Sequence, residues 1–493
     1  MRKLSCILSL IPFFAACSQV TPPAPYGPTP NKVQLEWQEL EFYAFVHFTT
    51  NTFTDMEWGL GNSDPSVFNP TEFDVDQWMD VFKSAGMKAV VLTAKHHDGF
   101  CLWPSGYTEY SVKNSVWKDG KGDVVGAVSE AAQKHGLKFG VYLSPWDRHD
   151  DRYGTSEYVD YYRNQIRELL TDYGPIFEFW KDGANGGTGY YGGTESQERR
   201  VDARTYYDWE NTHILLRDLQ ADVFIFGGCT DGRWCGNEQG HVGETNWCRL
   251  NKDKYHLGVP YNMDGLYCGE DDGTHWVPAE VDVSIRPGWF WHENENSKVK
   301  SPERLLDIYY TSVGRGANLI LNIPPNDKGL ISDEDVRSLE GFAELLKKEF
   351  GHCVNDGIKK AEATQVRGGS RTYSAKQVLD EDHETYWTTE DSTTSASLIF
   401  TFKNPTVVNR AMLREYLPLG QRIASFNIEA QTDSGEWIEI AAATTIGHKR
   451  LLRFDDVTTK VIRINILDSK ACPVLSDVKF YESTNPLKRN ESH

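Results

Sequence analysis

SEYVDYYRNQIRELLTDYGPIFEFWKDGA, residues 156–184, decides the fold. In its first half Val159, Tyr162, Ile166, Leu169, Leu170 and Tyr173 recur at helical spacing, while FEFWKDGA (177–184) is a β-rich run that breaks into polar and small residues. The same alternation extends in both directions. Runs of strand character lie at YAFVHF (43–48), AVVLTAKHH (89–97), FGVYLSPW (139–146), VFIFGG (223–228), VDVSIRPGWF (281–290) and ANLILNIPP (317–325). Seven such runs separated by helical patterns within residues 33–352 predict parallel βαβ units closing into an irregular (β/α)8 TIM-like barrel, with one strand still unrecognised. A doubly wound open sheet is the alternative, but no glycine-rich phosphate loop opens any of its helices.

After Cys353 the period changes. SLIFTF (397–402), FNIEAQ (426–431), EWIEIA (436–441), VIRINIL (461–467) and DVKFYES (477–483) alternate with a period of two, and TDSG marks a hairpin, so residues 353–493 are expected to form an all-β sandwich. Residues 1–17, MRKLSCILSLIPFFAAC, have a basic start, a short apolar run and small residues before Cys17. They resemble a bacterial lipoprotein signal, which predicts acylation of Cys17 and an exported protein, periplasmic or outer-membrane-associated, that meets the membrane only through its lipid. The Pro-rich stretch 18–32 then reads as a tether.

Composition excludes one class of partner. A formal net charge of −20, with no basic run to offset it, repels phosphate backbones, so nucleic acid is not expected. The mature cysteines match no zinc spacing, and no metal site is predicted from them.

In a barrel of this kind chemistry sits at the carboxyl ends of the strands, and polar residues fall there repeatedly: His47, then His96 and His97, then Asp182. A retaining glycosidase needs one ionised carboxylate and one protonated carboxyl about 5 Å apart. Asp182, at a strand end and followed by small residues, suits the first role, although an Asp-Gly pair is also a common turn. The long glycine-rich loop 227–247 offers Asp231, Glu238 and Glu244 for the second, and Glu238 has Trp234 nearby to raise its pKa. His47, Glu57, Trp58, His96 and His97 complete a polar set better suited to sugar hydroxyls than to a metal.

The ordered segments AFVHF, MEWGLGN, TAKHHDGF, GVYLSPWDRH, FWKDGA and RWCGNE resemble the α-L-fucosidases of glycoside hydrolase family 29 over roughly residues 35–350. The resemblance implies a retaining exo-enzyme without a catalytic cofactor, Asp182 as nucleophile, and fucose contacts at His47, Glu57, Trp58, His96, His97, Tyr142 and Trp180. RWCGNE and VDVSIRPGW are similar to the branch acting on α-1,3- and α-1,4-linked fucose of branched glycans, which implies Glu238 as acid/base and Trp289 and Trp276 around the aglycone. Phe179, Trp180 and Phe290 are candidates for an apolar pocket around the fucose methyl. The insert 190–200 departs from the family pattern near the outer subsites. VLDEDHETYWTT (378–389) resembles a discoidin-type, galactose-binding-like module, which implies a structural Ca2+ near this acidic stretch and either sugar binding or packing support for the barrel. The rival readings are an exo-glycosidase for galactose-configured sugars and a glycan-binding lipoprotein without catalysis.

Overall fold

A computed structural model describes residues 20–259 and 263–486; Cys17 and the signal-like segment lie outside the described residues. Eight strands form the first sheet: β1 (Phe42–Val46), β2 (Ala89–Lys95), β3 (Lys138–Leu143), β4 (Ile176–Trp180), β5 (Phe224–Phe226), β6 (Arg233–Trp234), β7 (Ala279–Ser284) and β8 (Asn318–Asn322). Their order is β5-β4-β3-β2-β1-β8-β7-β6, with every neighbouring pair parallel. Helices such as Val75–Ser84, Val124–His135 and Ser156–Asp172 cover the outside. The second is locally specified: Asp123 caps it through the Gly126 N–H, and Gly136, at φ 74°, ends it.

The seven runs read from sequence are β1 to β5, β7 and β8. The eighth strand, β6, is only two residues long, which is why no periodicity reveals it. It also explains the irregularity. Six residues separate Phe226 from Arg233, whereas a parallel crossover needs a dozen or more. The chain therefore turns tightly through Gly227, Gly228 and Cys229, at φ 97°, 65° and 56°, and the barrel stays open between β5 and β6. The helix Lys32–Gln38 covers this side: Trp37 stacks on Phe224 at 4.2 Å, and the Gln34 amide donates to the carbonyls of Asp231 and Trp276, both at 2.9 Å.

Strand alternation divides two packing layers. Phe42, Ala44 and Val46 face the helices, while Tyr43 and Phe45 face inward with Tyr142, Trp180 and Phe226. The interior row also contains acids. Trp180 Nε1 donates to Glu280 at 2.8 Å, and the Tyr43 hydroxyl donates to its other oxygen. Neither oxygen of Glu178 meets an N–H or O–H donor among the described residues. Burial first, then the Glu280 charge, push the Glu178 carboxyl well above its usual range. In protonated form it donates to Glu280, whose own carboxyl burial raises to about 7, so that the pair shares a single proton once Glu280 ionises.

The second domain is wholly antiparallel. Its two longest strands, Ala396–Glu415 and Arg450–Ser469, break register between Thr401 and Thr406 and again between Val408 and Arg410. Those breaks bend the sheet over a core that includes Phe400, Ile428, Ile464 and Phe480. Buried ion pairs join the domains. Glu349 receives Arg410, and Glu41 receives Arg414 and Lys449. Burial raises the Glu41 carboxyl, but Lys449, His448 and Arg414 outweigh it and hold the group well below the carboxylate range.

Residues 20–31 do not hang free. Arg367 donates to the Thr21 carbonyl at 2.7 Å, Arg422 to that of Ala24 at 2.6 Å, and the Tyr26 N–H to Leu419 at 3.0 Å. The segment read as a tether is, over these residues, a strap laid along the sandwich.

The buried acid pair gives the first prediction. Glu178 keeps its proton in the fold but ionises above about pH 4.5 when unfolded, so the parent loses stability as pH rises. The Glu178→Gln variant lacks the Glu178 part of that linkage, while burial of Glu280, raised to about 7, contributes in both proteins. Its stability relative to the parent should grow by on the order of 1 kcal/mol per pH unit between about pH 5 and 7. Denaturant melts across that range check this, and a pH-independent difference would contradict the shared proton.

Candidate active site

The inward-facing rows end together at the carboxyl mouth of the barrel. Continuing each alternation by two residues takes Phe45 to His47, Tyr142 to Ser144, Trp180 to Asp182, and Glu280 through Asp282 to Ser284. Asp182 is oriented by two donors. The Tyr142 hydroxyl reaches its Oδ2 at 3.2 Å and the Ala184 N–H its Oδ1 at 2.7 Å, leaving the side chain about a quarter exposed (26%). A cavity of about 410 Å3 opens over it, walled by Trp180, Trp234, Asp282, Leu257, Met263 and Glu238. A wider concavity of about 990 Å3 lies at the opposite mouth around Trp37, Phe139 and Phe177. It is at the end of the barrel where conserved geometry serves stability more than chemistry.

Of the three acids on the long loop, the structure brings one to Asp182. Glu238 lines the same cavity, and its Oε2 accepts the Trp289 indole N–H at 3.3 Å. Partial burial raises its carboxyl pKa; the charges of Asp182 and Glu57 raise it further, against the lowering effect of Trp289. Asp231 instead turns inward to Arg217 and the Ile225 N–H, and Glu244 pairs with Arg450 of the sandwich at 3.2 Å.

The three histidines are kept neutral, and two of them, His47 and His97, are fixed as acceptors. The Asn322 amide nitrogen donates to Ser284 Oγ and Trp289 O, so its oxygen faces His47, and Nδ1 of that ring must donate across the 2.8 Å contact. Ser144 spends its hydrogen on the Trp146 carbonyl and therefore accepts from His97 Nδ1 at 2.7 Å. Burial pushes His47 down to about 3 and lowers His96 and His97 as well. Each fixed tautomer leaves an unprotonated Nε2, and that of His97 stands 3.9 Å from Asp182 Oδ1. His96 packs against both other rings, and its buried Nδ1 has no partner among the described residues.

Glu57 holds a loop. Its carboxylate accepts from the backbone N–H groups of Trp289 and Phe290 and pairs with His292 at 2.7 Å, which fixes the Trp289 indole beside Glu238. The buried Arg286–Asp335 pair anchors the same loop to helix Asp333–Phe350. Trp58 is the exposed rim, 52% accessible and edge-on to His97 at 5.1 Å, with its backbone held by Arg148. Trp180 is buried between Tyr142 and Phe226, its N–H committed to Glu280.

Two expectations need correction. Trp276 is not at the mouth: it donates to Gln38 and packs with Cys248 and Leu417. Phe179 belongs to the outward-facing row of β4 and packs under the helices, so it lines no sugar pocket, whereas Phe290 does stand against His47 and His96. The insert 190–200 contributes one arm of the hairpin Gly186–Gly189/Gln197–Arg200.

Two residues were missed. Asp282, buried and accepting from Trp234 Nε1 at 2.8 Å, is pushed well above its usual range by burial and then by Glu238 and Glu280; the signal was its place two residues after Glu280 on a barrel strand. Lys181, next to the candidate nucleophile, contacts His213, and burial brings its amine down to about 7.

Residues 26–350 match the family model described as Alpha-L-fucosidase, and residues 360–476 match the F5/8 type C domain. Alpha-L-fucosidase 1 of Arabidopsis thaliana is 43% identical over 96% of this chain and 92% of its own. A solved putative alpha-L-fucosidase from Bacteroides thetaiotaomicron superposes with TM-score 0.85 at 38% identity, covering 94% of this chain and 99% of the other. A Ruminococcus gnavus fucosidase of glycoside hydrolase family 29, solved in complex with fucose, has TM-score 0.83 at 32% identity and covers 94% and 97%.

The Trp289 contact can be tested directly. An N–H donated to a carboxylate favours its charged form, so Trp289→Phe should move the Glu238 titration to higher pH, followed by infrared difference spectroscopy against Glu238→Gln. An unchanged titration would mean that the indole does not reach the carboxylate.

Proposed function

The chain belongs to the alpha-L-fucosidase family and is a glycoside hydrolase, and from that premise we propose a retaining exo-α-L-fucosidase with Asp182 as nucleophile and Glu238 as acid/base. The observation that carries this is the pair itself: a carboxylate oriented by Tyr142 and Ala184, facing a carboxyl whose pKa its neighbours raise, across one cavity. A carboxyl whose surroundings raise its pKa suits the proton donor, which leaves the oriented Asp182 as the nucleophile.

In the first step an Asp182 oxygen bonds to fucose C1 while the C1–O bond breaks, and the departing oxygen takes its electrons and the Glu238 proton. In the second, Glu238 removes a proton from water, which attacks C1 and releases Asp182. The neutral His47, His96 and His97 accept hydrogen bonds from sugar hydroxyls. Glu57 acts through Trp289, Trp58 closes the rim, and the apolar Trp180 and Phe290 suit the 6-methyl group. RWCGNE and VDVSIRPGW support α-1,3- and α-1,4-linked fucose on branched glycans as substrate, used in carbohydrate catabolism.

The signal-like start supports lipidation at Cys17 and a periplasmic or outer-membrane location, checked by mass spectrometry of the mature N-terminus. A Ca2+ near residues 380–384 would draw on the Asp380 and Asp382 carboxylates, which accept from Thr385 and the Glu384 N–H and keep further lone pairs.

Asp182→Gly should lose activity by about 10⁴-fold or more and recover with azide, yielding β-L-fucosyl azide. Proton NMR of the parent reaction should show α-L-fucose first; β-L-fucose as first product would overturn the retaining assignment. Free fucose should appear faster from branched α-1,3/1,4-fucosylated oligosaccharides than from linear α-1,2-linked ones.

A further inference from the structure

The loop bearing Glu238 leaves the barrel after β6 and next rejoins it at Ala279. So long a connection samples many positions unless it is tied down. Its first part is tied to the barrel: the Val242 N–H donates to Thr311 O at 3.0 Å, and Arg315 donates to Val242 O at 2.7 Å. The stretch that follows is tied to the sandwich. Gln421 behaves like a strand partner, donating to Asn246 O at 2.9 Å and accepting from the Cys248 N–H at 2.7 Å. Thr445 Oγ1 accepts the Asn246 N–H at 2.8 Å, and Arg450 donates to Glu244 O at 2.6 Å.

These contacts are dry. Gln421, Thr445, Asn246 and Cys248 are at most 2% exposed, so a lost bond leaves a backbone group that water cannot satisfy in place. The Asn246 side chain carries the tie onward. Its oxygen accepts from Arg233 on β6 at 2.6 Å, and its amide donates to Arg315 O at 2.8 Å. Arg315 in turn bridges Arg450 in antiparallel fashion. The segment holding Glu238 therefore runs from a barrel anchor, the Cys235 N–H on Glu280 O at 3.1 Å, through Gly240 and Val242 on Thr311 and Arg315, to a carboxyl end held by three sandwich side chains.

We propose that the sandwich positions the acid/base: Gln421, Thr445 and Arg450 brace the 235–248 loop so that Glu238 stays over the cavity of Asp182. This rests on Glu238 being the acid, and it assigns the second domain a part in proton transfer that needs no sugar bound to the domain itself. A domain that only adds stability would, when loosened, lower activity equally for every substrate. A brace on the acid acts selectively, because a leaving group of low pKa departs without a proton and one of high pKa does not.

The experiment measures kcat/KM, which reports formation of the fucosyl-enzyme, for a series of aryl α-L-fucosides of rising leaving-group pKa and for a fucosylated oligosaccharide. The full chain is compared as parent, Gln421→Leu/Thr445→Val, Thr445→Val alone and Glu238→Gln. Thr445→Val removes one acceptor only and serves where the double variant does not fold. Lys449→Met, which loosens a domain contact at the other mouth of the barrel, is the control. The brace variants should stay within about twofold of the parent on the most activated fucoside and fall about tenfold or more on the oligosaccharide, steepening the leaving-group dependence as Glu238→Gln does. Lys449→Met should lower the melting temperature without changing that slope. A uniform loss, no loss, or an equally steep slope in Lys449→Met would overturn the brace. If Glu238→Gln itself leaves the slope unchanged, the acid assignment falls and the brace with it; if Glu238→Gln steepens it and the brace variants do not, the brace falls alone.

Discussion

Six residues between β5 and β6 constrain everything that follows from them. A chain that short cannot recross the barrel wall, so the fifth and sixth strands cannot pair as parallel neighbours, and the wall is left unclosed on one side. The fold compensates in two places. Helix Lys32–Gln38 covers the gap from below, with Trp37 stacked on Phe224 of β5 and Gln34 satisfying the carbonyls of Asp231 and Trp276 on the β6 side. Above, the chain spends the residues it saved on one long excursion before β7, and that excursion carries Glu238 to the cavity over Asp182.

The electrostatics of the site follow from the same interior. Three imidazoles are kept neutral by burial, and two of them, His47 and His97, are fixed in tautomer by Asn322 and Ser144, so they accept hydrogen bonds without adding positive charge beside Asp182. The acids below the mouth are kept protonated or share protons, so Asp182 is not crowded by a column of anions. Glu238 lies at the top of this gradient, partly buried and near two charges of its own sign, which is the environment a proton donor needs.

Strand ends were legible in the sequence because barrel strands are apolar and the polar residue that stops the run is the one that reaches the mouth; His47, His97 and Asp182 were visible for that reason. Loop residues were less so. Asp231, Glu238 and Glu244 have equivalent chemistry along the chain, and only the third dimension separates an inward brace from an acid and a domain contact. Trp276 and Phe179 were misplaced because aromatic character says nothing of which face a ring occupies, although for Phe179 the alternation with Trp180 already held the answer. Asp282 was missed because an acid inside a run of valines reads as an exception, whereas here it is part of an interior row. A two-residue strand such as β6 carries no periodicity at all.

The strap of residues 20–31 has a consequence in time. Its carbonyls find their partners at Arg367 and Arg422, 346 and 398 positions away along the chain. Because synthesis runs from the amino end, the strap emerges first and its docking surface almost last. Until the sandwich is complete, the Arg367 and Arg422 side chains that donate to these carbonyls are not in place. Its docking is a late event in assembly, one that waits on the second domain.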